Sequence, residues 1–179
     1  MSDSVAKIKL RELDRSDLTR LNGWRNDREI MELLGNNFLF ISETVDENWF
    51  QSYLRDRERN VRLSIIAEET GDYVGNVNLT SIHRVNRSAE YSILIGEKRY
   101  WSKGIGSQAT RLMLDHAFKD LNLNRIYLTV IRENVRALRL YRRLKFVEEG
   151  CQRQAIFKDG SYRDLIAMSI LKGEFLRMK

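Results

Sequence analysis

The chain has 179 residues, a formal net charge of +6 and an isoelectric point near 9.5. With 42% apolar and 31% charged residues, it reads as a folded soluble protein, long enough for one domain over 1–179 with a substantial core. No apolar run reaches the ~18 residues of a membrane-spanning helix, MSDSVAKIKLREL lacks the apolar stretch of a secretory signal, and the lone Cys151 excludes an internal disulfide, so a reducing cytoplasm is expected.

KIKLREL alternates charged and apolar side chains, which predicts a strand over Lys7 to Leu13. A helix over 16–34 follows, with Asp14 or Ser16 as cap and Leu18, Leu21 and Trp24 at helical spacing. A second helix over 44–56 turns Trp49, Phe50, Tyr53 and Leu54 inward. VRLSIIAEE and YVGNVNLTSI are strands joined at Thr70-Gly71-Asp72, and AEYSILI is the next strand. SQATRLMLDHAFKDL is an amphipathic helix with Ala109, Leu112, Met113, Ala117 and Leu121 on one face. RIYLTVI is a β-branched strand, and NVRALRLYRRL a short helix placing Ala137, Leu138, Tyr141 and Leu144 together. KFVEEG and DLIAMSIL complete the set, with a turn at Asp159-Gly160. The order β-α-α-β-β-β-α-β-α-β-β predicts an α/β domain with a mixed sheet: antiparallel hairpins, then a β-α-β crossover that makes two neighbouring strands parallel.

The stretch YWSKGIGSQATR puts Gly104 and Gly106 at a helix start, with Lys103 before them and Ser107 after. Such a loop holds phosphates: glycines let an anion approach the backbone, and free N–H groups with the helix dipole favour negative charge. A dinucleotide fingerprint fits poorly, because the polar segment EKRYWSK separates the strand from the first glycine. A P-loop fits poorly too, since no Lys-Ser or Lys-Thr follows the second glycine. A pyrophosphate bound at the helix N-terminus and a plain linking turn both remain open on the loop alone.

Downstream, RIYLTVIRENVRALRLYRRLKF carries Asn134, Ala137, Tyr141 and Phe146. Loop and block together resemble the GNAT superfamily of acyl-CoA-dependent N-acetyltransferases, in its branch of ribosomal-protein-alanine, spermidine and amino-sugar acetyltransferases. Trp101 to Gly106 is similar to that family's pyrophosphate signature, and Asn134 and Tyr141 match its N-x-x-A-x-x-x-Y element. Lys145 departs from the glycine usual before the Phe. The resemblance implies a GNAT fold: a mixed, mostly antiparallel sheet of six to seven strands, flanking helices and a β-α-β acyl-CoA site. It implies acetyl-CoA as co-substrate, with Trp101, Lys103, Gly104, Ile105, Gly106 and Ser107 at the pyrophosphate. The backbone of Ile93, Leu94 and Ile95, with the Asn134 amide, would meet the pantetheine arm. Tyr141 would act as general acid to the departing CoA thiolate.

The acceptor amine must lose a proton to attack, and Glu90 is the best-placed base in the sequence, ahead of Glu133 and His83. No nucleophile–base pair stands out, His116 reads as structural, and Cys151 has no Cys or His at ligand spacing, so neither a covalent intermediate nor a metal is expected. Trp24, Arg25, Trp49 and Phe50 are the candidates to line the acceptor side. GNVNLTSIHRVNR offers no acid, and the net charge favours an anionic amine such as a nucleotide-linked amino sugar over a polyamine; a protein N-terminus is a further alternative. No membrane or nucleic-acid partner is expected, and a homodimer stays open. A non-catalytic acyl-CoA sensor and a basic nucleic-acid module are the readings of another class.

Overall fold

The first four strands are β1 (Ile8–Glu12), β2 (Val61–Ala67), β3 (Tyr73–His83) and β4 (Ser88–Ile95) in a computed structural model that describes residues 6–178. The first five residues, read above for a secretory segment, lie outside the described residues. These strands pair antiparallel in sequence order. β5 (Arg125–Ile131) joins β4 in parallel, and β6 (Val147–Lys158) and β7 (Ser161–Leu171) complete a seven-stranded sheet of order β1-β2-β3-β4-β5-β7-β6. Asp159 and Gly160 both have positive φ, 47° and 76°, the backbone of a tight two-residue hairpin. That turn lets β6 run through Lys158, well beyond the expected KFVEEG.

Helices cover both faces. α1 (Leu18–Arg25), α2 (Arg28–Met31) and α3 (Glu43–Arg55) lie on one side; α4 (Ile105–Asp115) and α5 (Val135–Arg143) lie on the other, and α6 (Lys172–Leu176) follows β7. The single helix expected over 16–34 is broken. Asp27 adopts an extended backbone and caps α2 by accepting from the N–H groups of Glu29 and Ile30. Beside it, Asn26 Nδ2 donates to Asn22 O and Ile41 O. Two short polar side chains thus compete with the helix backbone and stop it. The inward face of α4 is Ile105, Ala109, Thr110, Met113 and Leu114, which leaves Leu112 outside it, and the π-turn over His116–Asp120 then shifts the face again. Leu112 and Leu121 are exposed, while Leu114 and Phe118 are fully buried.

Ile65, Val77, Leu79, Ile105, Met113, Phe118, Ile126 and Met168 belong to the main core between sheet and α4. Leu18, Leu21, Trp24, Phe50, Tyr53, Ile66 and Tyr73 form a second core beneath α1 and α3. The feature that matters for function lies mid-sheet. β4 and β5 pair only at Ser88↔Arg125, Ala89↔Ile126 and Glu90↔Tyr127. Past that point β4 stays with β3 to Ile95 and β5 stays with β7 to Ile131, so the two strands diverge. Among the described residues, no helix is long and apolar enough to cross a membrane.

Candidate active site

The divergence leaves one edge of β4 unpaired. Backbone groups of a strand alternate between its edges. Arg87 O accepts from Asn124 N and Arg125 N toward β5, and Ile95 O accepts from the Trp101 indole. Ile93 therefore presents its N–H and C=O to the open wedge, Ile95 its N–H with the C=O taken by Trp101, and Leu94 presents its own to β3. Of the three residues expected to meet a pantetheine arm through their backbone, Leu94 is turned the wrong way; its side chain packs beneath α1.

At the mouth of the wedge the chain turns into α4. Gly104 has φ +77°, a left-handed conformation that a side chain would strain. The N–H groups of Ser107 and Gln108 return to Gly104 O at 3.1 and 3.2 Å, so Ile105 and Gly106 carry the free donors of the helix end. The Ile105 side chain is in the core. Gly106 serves a different need: a Cβ there would stand 3.1 Å from Leu140 Cδ1, so its absence lets α5 press against α4. Lys103 is exposed, and Trp101 carries Arg136 over its ring at 5.2 Å.

Tyr141 projects from α5 into the α4 side of the wedge. Its ring meets Tyr91 edge-on with centroids 6.3 Å apart and Phe146 at 5.4 Å. Tyr91 is held in turn by Thr110, hydroxyl to hydroxyl at 2.8 Å. Burial alone raises the Tyr141 pKa, with no hydrogen bond contributing, so its phenol is protonated at neutral pH and has its proton to give. Asn134 caps α5, accepting from Ala137 N at 3.0 Å and donating to Leu33 O at 3.0 Å. One lone pair and one N–H of its amide remain for a ligand.

On the opposite face, Glu90 is half-buried and shares its side of β4 with Ser92 and Leu94. Acid and base candidates thus flank the open edge from two sides. Glu133 is exposed in the β5–α5 turn. His83 sits at the closed end of the wedge, where its Nδ1 accepts from Asn86 N. His116 pairs with Asp120 on the π-turn, and exposed Cys151 contacts Arg132 on the far side of β5. Among the described residues, no group of three or more His, Cys, Asp or Glu side chains is placed to hold a metal.

The four acceptor-side candidates separate. Trp24 is buried; a Cβ on Gly96 would meet its ring at 1.9 Å. Phe50 is buried in the same core. Both support the wall without facing the cleft. Arg25 and Trp49 are half-buried, and the Arg25 guanidinium lies 5.4 Å from the Trp49 ring. Arg25 pairs with Asp46, which is wholly buried and also accepts from Asn22 at 2.7 Å. Asp46 and, on β2, Arg62 escaped the sequence reading. Arg62 falls in the strand VRLSIIAEE, where nothing in the sequence marks it out, and only its position beside Trp49 distinguishes it.

An unpaired strand edge, a helix end with free donors and a buried, protonated phenol together suit an elongated phosphate-bearing thioester. Backbone donors meet the pyrophosphate, the edge of Ile93 pairs with an amide-containing arm, and the phenol meets the sulfur.

Residues 7–147 match the family described as "Acetyltransferase (GNAT) domain". The chain is 32% identical over 177 residues to a spermidine N(1)-acetyltransferase of Escherichia coli (strain K12), covering 97% of this chain and 90% of the relative. It is 33% identical over 133 residues to a putative ribosomal N-acetyltransferase of Bacillus subtilis (strain 168), covering 74% and 70%. Its structure is similar to that of spermidine N-acetyltransferase from Vibrio cholerae in complex with CoA and spermine, with a TM-score of 0.89, 31% identity and coverage of 94% and 98%.

Proposed function

The chain belongs to the GNAT acetyltransferase family and is an acetyl-CoA-dependent N-acetyltransferase; from that premise we propose how it works and what it acetylates. The observation that carries the mechanism is the open edge of β4, flanked by Tyr141 on one face and Glu90 on the other. When bound, acetyl-CoA supplies an activated acetyl thioester. The N–H groups of Ile105 and Gly106 and the Lys103 ammonium hold its phosphates, and Asn134 steadies the arm. The backbone N–H of Ile93 polarises the acetyl carbonyl. Glu90, directly or through water, takes the proton of the attacking amine. The amine nitrogen bonds to the acetyl carbon, the C–S bond breaks, and Tyr141 protonates the leaving thiolate. No covalent enzyme intermediate is involved.

For the acceptor, the relatives support a polyamine, since spermidine acetyltransferases align along nearly the whole chain. This is the better supported of the acceptors considered from the sequence. Half-buried Glu90 is the carboxylate on the cleft floor that a polycation would meet. One observation favours a second reading, an amine that bears an anion: Trp49 is flanked by two guanidiniums, Arg25 and Arg62.

The test is thiol release from acetyl-CoA with spermidine, spermine, amino sugars and their phosphates, and N-terminal peptides. Spermidine or spermine is expected to give the highest kcat/KM. Saturating CoA is expected to raise the melting temperature of the chain. No thermal shift would remove the assignment of the wedge as the cofactor site; turnover of a phosphorylated amino sugar above every polyamine would replace the first acceptor reading by the second.

A further inference from the structure

Arg62 of β2, Asn78 of β3 and Ser92 of β4 stand in one row across the sheet. Asn78 Nδ2 donates to Ser92 Oγ at 3.2 Å. Ser92 is exposed, and Asn78 and Arg62 are half-buried. The row is a polar track, two strand spacings or about 10 Å long, leading from the open strand β4 to beneath α3. At its inner end the Arg62 guanidinium lies 4.6 Å from the Trp49 ring and 5.8 Å from that of Tyr53.

The nearby carboxylates are engaged elsewhere, Asp46 by Arg25 and Glu12 by Arg57 and Tyr53, and no carboxylate pairs with Arg62 among the described residues. Its Nε is buried without a hydrogen-bond partner, and so is Nδ2 of Asn76, on the adjacent strand and the same face. Burial presses the Arg62 pKa down; the nearby Tyr53 opposes this and the charge of Arg25 adds to it. An aromatic face attracts a cation, yet it offers no acceptor in the guanidinium plane. Buried donors without acceptors are rare, and a desolvated charge without a partner is costly. One ligand group relieves both deficits: an oxygen that carries negative charge.

We propose that Arg62 is an anion subsite at the inner end of the acceptor pocket, and that the pocket takes, beside polyamines, an amine carrying a phosphate or carboxylate within about 10 Å of its reacting nitrogen. The amine sits over Ser92 and Glu90 at the open edge; the anion lies along the track against Arg62. Trp49, clamped between Arg25 and Arg62, holds the guanidinium in place. The assignment rests on the acceptor side placed above in the proposed function and adds an anion subsite to it.

Two matched pairs of acceptors test it: glucosamine 6-phosphate against glucosamine, and 6-aminohexanoate against hexylamine, with spermidine alongside. The readout is the ratio of kcat/KM within a pair, for the native chain, Arg62→Gln and Arg62→Lys. Where turnover is slow, calorimetric Kd values for the CoA-loaded protein give the same ratio. The native chain is expected to favour the anionic member of at least one pair by about tenfold or more, the range of a charge-assisted contact. That ratio should collapse toward one in Arg62→Gln and persist in part in Arg62→Lys, which keeps the charge but loses the planar fork. Ratios near one in the native chain for both pairs, or a preference that survives Arg62→Gln, overturn the subsite. The CoA-induced rise in melting temperature reads the donor site separately: its absence in the native chain would remove the cofactor assignment, and its presence in a variant certifies that variant as folded.

Discussion

Tyr141 combines burial, an aromatic cradle and a hydroxyl that makes no hydrogen bond among the described residues. A phenol placed so is dispensable for folding and costly to lose in chemistry. Tyr141→Phe keeps the ring contacts and removes only the proton donor, so kcat should fall by about 100-fold or more, the usual worth of a positioned acid, while the CoA-induced rise in melting temperature persists. Because burial raises its pKa, Tyr141 keeps its proton as pH rises, and kcat should hold a plateau through about pH 9.5, below an ordinary tyrosine pKa. A fall in kcat above pH 8 would argue against the assignment. Asp17 shows the opposite balance. It is buried, and burial alone would raise its pKa; hydrogen bonds from Arg11, Asp14 N–H and Ser64 together outweigh this and hold it low. A depressed carboxylate contributes stability that is present above the unfolded value near ~3.9 and is lost as pH falls through the folded one. Asp17→Asn should therefore cost roughly 2–4 kcal/mol at pH 7 in urea unfolding, with the gap to the native chain narrowing below about pH 4. Tyr141 and the glycines stand out in the sequence because the motifs that single them out are each spelled within a dozen neighbours. Asp46 and Arg62 are not, because each takes its meaning from a partner elsewhere: Arg25 for Asp46, and Trp49, across the α3–β2 connection, for Arg62.

Elements are legible where one period runs unbroken. RIYLTVI emerges as β5 with its expected limits, since a β-branched run has a single good conformation. The first helix and the end of the α4 stretch, at Leu121, are misread where the period is interrupted, by the Asn26-Asp27 break and by the π-turn at His116–Asp120. Lys145 shows what such a local exception costs. It follows α5 with φ +66°, its N–H donating to Arg142 O and the next N–H, of Phe146, to Tyr141 O. The chain thus makes, with lysine, the left-handed turn that glycine makes without strain. An L-residue there costs about 1–2 kcal/mol, and glycine returns part of that gain through unfolded-state entropy. Lys145→Gly should accordingly stabilise the fold by about 0.5–1 kcal/mol, visible as a raised urea midpoint. Since it leaves the Tyr141 side chain in place, kcat should change less than twofold; a lower midpoint would mean that the lysine stem contributes packing that outweighs the strain.

Across the whole molecule, the wedge between β4 and β5 divides the labour. The donor side is built from consecutive chain: β4, the glycine loop, α4, β5 and α5. The acceptor side is assembled from remote pieces, α1 to α3 with β2 and β3, and it leans on the β6–β7 hairpin. Lys158 makes that last connection. Buried near the hairpin tip, it donates to the carbonyls of Met31 and Leu34, 127 and 124 residues away, while Asn37 donates to Phe157 O. Burial lowers the Lys158 pKa, yet two carbonyls repay the ammonium with hydrogen bonds. Lys158→Met keeps the length and apolar stem and removes the donors. The segment around residues 31–37, which also ties to Asn134 through Leu33 O, then loses its anchor on the hairpin. Two unpaired carbonyls should cost about 1–3 kcal/mol of stability. The sharper signature is kinetic: the KM for the acceptor amine should rise several-fold, while the KM for acetyl-CoA, whose phosphates are held at the α4 end and which meets this segment only through Asn134, should rise less. Equal increases in both constants would show that the hairpin supports the wedge as a whole, and the division between a contiguous donor side and an assembled acceptor side would fall.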